Sequence, residues 1–120
     1  MANKTPRMTP ALLHVLLSLA EGPKHGYALL SEVSERSNGQ VELGPSTLYY
    51  SLGRLEDAGL IRRADADADV DADGGSEPHE EQRRYFALTD SGRDTLASEV
   101  DALSKIVDHA RAFGFSGRRR

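Results

Sequence analysis

The sequence predicts a small, mainly α-helical domain with one β-hairpin and a C-terminal helix that extends beyond it. A length of 120 residues suits a single domain. Leucines recur at the spacing of helical faces over much of the chain. Residues 60–63 and 83–88 are short runs of aliphatic, aromatic and arginine residues, and they flank a long polar segment, as the two strands of a hairpin would.

Turn and capping residues divide the first half of the chain into three predicted helices. Thr9 caps the first helix, which begins at Pro10 and ends before Gly22. The second is expected to begin near residue 25 and to run to about residue 37. The third is expected to begin near residue 44 and to end at Gly59.

Charge is distributed unevenly along the chain. The net charge is −4, but residues 64–82 hold eight acidic and no basic residues, so the remainder sums to +4. Alternating Asp and small residues bury almost nothing, and we expect a solvated loop at the tip of the hairpin. The chain has no Cys, which excludes disulfides and a Cys nucleophile and fits a reducing cytoplasm. The apolar runs are far shorter than the roughly 20 residues of a membrane span, and we expect neither a membrane segment nor a cofactor.

The third helix has two contrasting faces. Leu48, Leu52 and Leu55 recur at i, i+4 and i+7, which places them on one side. No acidic residue occurs over 46–55, and the opposite side carries hydroxyl, aromatic and guanidinium groups suited to an anionic surface. These outward groups are Ser46, Thr47, Tyr50 and Arg54, with Tyr49 at the margin.

The last predicted helix, capped by Thr89 and running from residue 90 to about 112, carries a narrow apolar seam. Its members alternate in steps of four and three: Leu96, Val100, Leu103, Val107 and Ala110. A seam of this kind needs a second helix, and a second copy of the chain supplies one. Leu13 and Leu17 of the first helix are candidates for the same interface. We therefore expect a domain over 1–88, a dimerisation helix over 89–113 and a flexible basic tail over 114–120.

Three helices followed by a two-stranded wing form a winged helix-turn-helix order, and specific residues extend the match. Their order and spacing resemble the PadR family of bacterial transcriptional regulators in its short form with one C-terminal helix. The motifs are Thr9-Pro10, His25-Gly26-Tyr27, Ser46-Thr47-Leu48-Tyr49, Arg54-Leu55-Glu56, Gly59-Leu60-Ile61, Arg84-Tyr85-Phe86, Leu88-Thr89 and Gly92-Arg93.

This resemblance implies a dimeric DNA-binding repressor with its third helix in the major groove. It also implies a small, aromatic effector at the dimer interface, and the two-fold symmetry of such a dimer predicts an inverted-repeat operator. The candidate DNA contacts are Ser46, Thr47, Tyr49, Tyr50, Arg54, Tyr27, Lys24, Arg62, Arg63, Arg83 and Arg84. Arg residues can bond guanine in pairs, whereas hydroxyls mostly hold phosphate.

Several alternatives stay open at this point. Tyr27 either contacts a phosphate or packs on the first helix, and Tyr49 either faces DNA or forms a wedge between the third helix and the wing. Asp69, Asp71, Asp73 and Glu80 match the spacing of a calcium loop, but their flanks are predicted strands and we expect a spacer. A protein-interaction dimer and a calcium-responsive variant are the rival functions. An enzyme is not expected, because the sequence has no Cys, no nucleophile motif and no phosphate loop, and its four His share no metal-ligand spacing.

Overall fold

The computed structural model of the chain describes residues 5–64 and 85–115. Seven elements follow one another within those ranges: α1 (Pro10–Ala20), β1 (Lys24–His25), α2 (Gly26–Arg36), α3 (Pro45–Asp57), β2 (Ile61–Ala64), β3 (Tyr85–Leu88) and α4 (Asp90–Ala112). The predicted fold class, mainly helical with a hairpin wing and a long C-terminal helix, is confirmed. The acidic segment, including the calcium-loop pattern of Asp69, Asp71, Asp73 and Glu80, lies outside the described residues, as does the end of the basic tail.

Capping explains where α1 and α4 begin. The hydroxyl oxygen of Thr9 accepts a hydrogen bond from the amide of Leu12 at 3.2 Å. Thr89 does the same for the amide of Gly92 at 2.9 Å. Each bond satisfies one of the amides that a helix start leaves without a partner. Gly22 has a φ of 143° immediately after α1, a conformation that side chains disfavour, so the helix stops there as predicted.

The sheet has one strand more than the sequence predicts. β2 and β3 pair antiparallel, with Ile61 opposite Leu88, as expected for the hairpin. β1 then pairs with the other edge of β3, with His25 opposite Tyr85, which gives the strand order β1-β3-β2. Two residues are too few to display an alternating pattern, so sequence periodicity could not reveal β1.

The core lies between α3, the other helices and the inner face of the sheet. Leu48, Leu52 and Leu55 are each no more than 1% exposed. Burying one such side chain contributes roughly 1.5–3 kcal/mol. Turning α3 over would expose all three, a loss comparable with the stability of a whole small domain at about 5–15 kcal/mol. The leucines therefore determine which side of α3 faces solvent. The core also contains Leu12, Val15, Leu16, Leu19, Leu29, Val33, Leu60, Ile61, Phe86, Leu88 and Leu96.

The two halves of α4 have different surroundings. Its first turns are anchored: Thr89 donates its hydroxyl to the carbonyl of Gly59 at 2.7 Å, and Gly92 is buried beside the carbonyl of Leu60. Leu96 belongs to the core. From Val100 to His109 every residue is exposed. The distal half of α4 thus projects away from the rest of the subunit. Among the described residues, no helix combines the length and apolarity needed to cross a membrane.

Candidate nucleic-acid interface

The outward side of α3 forms an open polar and cationic surface. Tyr50 is 66% exposed, and Arg54, one turn later, is also exposed. The Arg54 guanidinium lies over the Tyr50 ring, 5.8 Å from its centroid, within the range of a cation–π contact. Ser46 and Thr47 are exposed in the first turn. We call these four residues the α3 outer face. Together they present the Arg54 guanidinium on an open surface, where it can approach an anion.

Tyr27 is a further exposed aromatic residue, at the start of α2. It is the second residue of that helix and is 52% exposed. An exposed position in a first turn lies close to amides that have no helical partner, where anions are favoured. Of the two interpretations offered by the sequence, burial against α1 is therefore disfavoured.

Tyr49 differs from its neighbour Tyr50. It is half-buried and packs against the core. Its ring lies against Gly26, the first residue of α2, so closely that a Cβ atom there would be 2.8 Å from Tyr49 Cε1. Tyr49 therefore packs against the start of α2, a contact that neither interpretation of the sequence included.

Lys24 is held by carboxylates, which argues against the predicted DNA contact. Its Nζ lies 2.9 Å from Glu21 Oε1 and 3.0 Å from both carboxylate oxygens of Glu32. The hydrogen bond to Glu21 raises the pKa of Lys24, and hydrogen bonds to Lys24 and Arg36 lower the pKa of Glu21. Only 17% of the Lys24 side chain is exposed. A charge compensated in this way is a poor phosphate ligand, so we leave Lys24 out of the candidate interface.

Of the four arginines at the wing base, the structure describes two. Arg62 and Arg63 are both exposed on β2. Arg63 Nε lies 3.4 Å from a carboxylate oxygen of Glu56 on α3, whereas Arg62 forms no ion pair with any described residue. Arg62 is thus the more available phosphate ligand. Arg83 and Arg84 lie outside the described residues.

The predicted dimer seam is uncovered in its distal part and wider than expected. Val100, Leu103 and Val107 are 41–47% exposed, and Ala110 is partly exposed. Ile106 and Phe113, which the sequence analysis omitted, are 63% and 69% exposed. Ile106 continues the same side of the helix, three residues after Leu103, and Phe113 follows it at the C-cap position, directly after the last helical residue. We call Val100, Leu103, Ile106, Val107 and Phe113 the α4 apolar face.

Three predicted interface leucines have different positions. Leu96 packs in the core of its own subunit, because the first turns of α4 lie on the body, so it is removed from the candidate interface. Leu13 is half-buried and packs against the core, whereas Leu17 is 38% exposed. Within the described part of the chain, no group of three His, Asp or Glu side chains is arranged to hold a metal ion.

The three-helix core, the small sheet and the exposed α3 outer face define a winged helix-turn-helix protein. The profile of the transcriptional regulator PadR-like family matches residues 13–98, and the chain belongs to this family. Its members are transcription regulators.

Similar proteins of known sequence or structure include members from several bacteria. An uncharacterized 37.1 kDa protein in transposon TN4556 of Streptomyces fradiae is 34% identical over 102 residues, which are 83% of this chain and 25% of that protein. This chain therefore spans about a quarter of the length of that relative. A PadR family transcription regulator from Clostridium difficile has a TM-score of 0.62 at 23% identity, with 84% of this chain and 96% of that one covered. Bacillus subtilis PadR in complex with operator DNA has a TM-score of 0.59 at 24% identity, with 73% and 45% covered. At these identities the structural matches concern the fold.

Proposed function

We propose that this chain is a homodimeric, sequence-specific repressor that inserts α3 into the major groove of double-stranded DNA. The observation that carries the proposal is the pairing of Tyr50 and Arg54 on one exposed side of a helix whose other side is held by three buried leucines. A guanidinium at such a position can form paired hydrogen bonds with guanine. Bacillus subtilis PadR, which has a similar fold, was solved in complex with operator DNA, and this supports DNA binding by this chain.

The remaining proposed contacts surround α3. Ser46, Thr47 and Tyr27 hold phosphates near the two helix starts, and Arg62 and Arg63 hold phosphates from the wing base. Arg83 and Arg84 remain candidates from the sequence alone. This arrangement assigns DNA binding to residues 1–88 and dimerisation to the distal half of α4. Leu17 and Leu13 are further candidates for the dimer interface.

Dimerisation determines the form of the operator. Two α3 helices related by a two-fold axis recognise an inverted repeat, with half-sites about one helical turn, or roughly 34 Å, apart. Release of DNA by a small aromatic effector at the subunit interface is part of the proposal and rests on family membership. As a DNA-binding regulator in a bacterial cell, the protein would act in the cytoplasm.

The Arg54→Ala variant tests the base contact. A lost bidentate contact removes about 1–3 kcal/mol of discrimination, so we expect specific affinity to fall by roughly tenfold to a hundredfold while affinity for random duplex changes little. The measurement is fluorescence anisotropy with a duplex that the wild-type protein selects from a random pool. Lys105→Ala, which removes a positive charge from the exposed polar side of α4, is the matched control and should behave as wild type.

Two results would contradict the proposal. The first is a wild-type protein that selects no sequence and binds all duplexes equally at physiological salt. The second is an equal effect of Arg54→Ala and Lys105→Ala, which would remove Arg54 from the interface. The salt dependence is a further check, because each phosphate that the protein neutralises adds about 0.9 to the slope of log affinity against log salt.

A further inference from the structure

The contact between Tyr49 and Gly26 joins α3 to the start of α2. We infer that Tyr49 is a positioning residue that sets α3 at the correct distance and angle for DNA, and that it does not itself contact the duplex. The inference rests on the proposed function, since it concerns how α3 is presented. It differs from the sequence prediction, which placed Tyr49 among the DNA contacts.

Space, rather than backbone conformation, accounts for the glycine at position 26. Gly26 is the first residue of a regular helix and does not have a positive φ, so other amino acids could adopt the same backbone conformation. A Cβ atom there would lie 2.5 Å from the hydroxyl oxygen of Tyr49, 2.8 Å from Cε1 and 2.9 Å from Cζ. All three nearest atoms belong to the Tyr49 side chain, and two of them to its ring. The two residues therefore form a close-fitting pair in which the ring occupies the space of the missing side chain.

The position of this pair couples it to the DNA-facing residues. Tyr50, which follows Tyr49 in α3, belongs to the α3 outer face. Tyr27, which follows Gly26 in α2, is also exposed. On the other side, the His25 ring meets the Tyr85 ring of β3 edge to face, with centroids 4.7 Å apart. Gly26 is thus held between the sheet and α3. A change in the Tyr49–Gly26 distance must move α3 relative to α2, unless the ring swings out.

The size of the required shift decides whether DNA binding would respond. An added methyl group at Gly26 would need Cε1 to move from 2.8 Å to the 3.4 Å of an ordinary contact, or 0.6 Å. Binding groups generally need to be held within about 0.5 Å of their productive positions. The shift exceeds this tolerance, so Gly26→Ala should weaken specific recognition although it adds only a methyl group.

The test combines Gly26→Ala with three side chains at position 49: Tyr, Phe and Ala. Affinity for the duplex selected by the wild-type protein, and for a random duplex, is measured by anisotropy at one salt concentration. Tyr49→Phe keeps the ring and should bind within about twofold of wild type. Gly26→Ala should lower specific affinity by about tenfold in the Tyr and Phe backgrounds, because Cε1 and Cζ still obstruct the methyl group. In the Ala background the same change should cost less than about twofold, because the ring is gone.

Three outcomes separate the possibilities. A large loss of affinity in Tyr49→Phe would show that recognition depends on the hydroxyl and not on the packed ring, and would overturn the inference. An equal effect of Gly26→Ala in all three backgrounds would also overturn the inference. So would the absence of an effect in every background, because the ring would then swing aside without moving α3. Failure of the wild-type protein to select any sequence would instead contradict the proposed function. The folded fraction of each variant is measured by circular dichroism, and its affinity is corrected for that fraction. If Gly26→Ala unfolds the protein, Tyr49→Phe remains informative, because it keeps the packed ring.

Discussion

Lys24 and Arg54 are both basic residues that the sequence offers for DNA binding, and their surroundings give them different roles. Lys24 contacts Glu32, eight positions along the chain, and Glu21, three positions before it. Arg54 extends from a helix whose other side is buried, and it meets only the ring of Tyr50 among the described residues. The exposure of Arg54 follows from helical periodicity and could be predicted. The neutralisation of Lys24 requires the approach of α2 to β1, which no local pattern encodes.

Ser18 of α1 is a buried hydroxyl whose replacement should stabilise the protein. It is fully buried, and its Oγ has no hydrogen-bond partner among the described residues. An unsatisfied buried polar group is destabilising, and Ala also favours helix more than Ser does. We expect Ser18→Ala to raise the free energy of unfolding by about 1 kcal/mol in urea denaturation. Ser31→Ala on the exposed side of α2 controls for helix propensity. A loss of stability in Ser18→Ala, relative to this control, would show that the hydroxyl is bonded in the assembled protein.

Four charged residues connect three elements at the end of α1. Glu21 follows α1, Lys24 lies in β1, and Glu32 and Arg36 lie on α2. Glu21 contacts both Lys24 and Arg36, the latter at 2.5 Å, and Lys24 also contacts Glu32. This network lies at the edge where β1 joins the sheet. It supports β1, a strand of only two residues, because Glu21 and Glu32 both hold the side chain of Lys24.

The network predicts a pH dependence of stability with a defined sign. The pKa of Glu21 is lower in the folded protein than its ordinary value of 4.5, so its contribution is present above that pH and is lost as the pH falls through the folded-state pKa. The pKa of Lys24 is raised, so its contribution is present below 10.5 and is lost as the pH rises above its folded-state pKa. Glu21→Gln should therefore be less stable than wild type near neutral pH, with a difference that shrinks in acid and in high salt.

Urea denaturation midpoints at about pH 3 and about pH 7 test this dependence. Glu42→Gln removes an exposed carboxylate that forms no ion pair with a described residue, and it serves as the control. An identical pH profile for Glu21→Gln and wild type would mean that the ion pairs of Glu21 contribute nothing to folding. Because Glu21 is half exposed, the expected difference is small.

For the whole molecule, the most conspicuous feature is the α4 apolar face. Five large apolar side chains on one side of a projecting helix are each 41–69% exposed in the single subunit. A contiguous apolar surface of this kind marks an interaction site in soluble proteins. A second subunit would cover it and would bring a second α3 to the same DNA. Dimerisation and DNA recognition are therefore linked in the proposal, although the residues involved lie on two different helices, α3 and α4.

Leu103→Asp tests this link, because a buried carboxylate in the interface would oppose association. We expect a change from dimer to monomer in light scattering, and a fall in affinity for the selected duplex of at least about a hundredfold, since two linked contacts become one. Ser98→Asp places the same charge on an exposed position two residues before Val100, which is on the other side of the helix, and should remain dimeric. A Leu103→Asp variant that stays dimeric, or a wild-type protein that is monomeric at working concentration, would refute the assigned interface.

The order of the elements, their capping residues and the two faces of α3 follow from the sequence by itself. Helix periodicity and capping act between residues three or four positions apart, so they can be recognised in the chain without knowledge of the fold. The tertiary structure alone decided the pairing of β1 with β3, the contact of Tyr49 with Gly26, and the boundary on α4 between buried Leu96 and exposed Val100. Each of these depends on which distant segments pack together and on where the body of the subunit ends. Such contacts are determined by the shape of the whole core, which a local pattern does not contain.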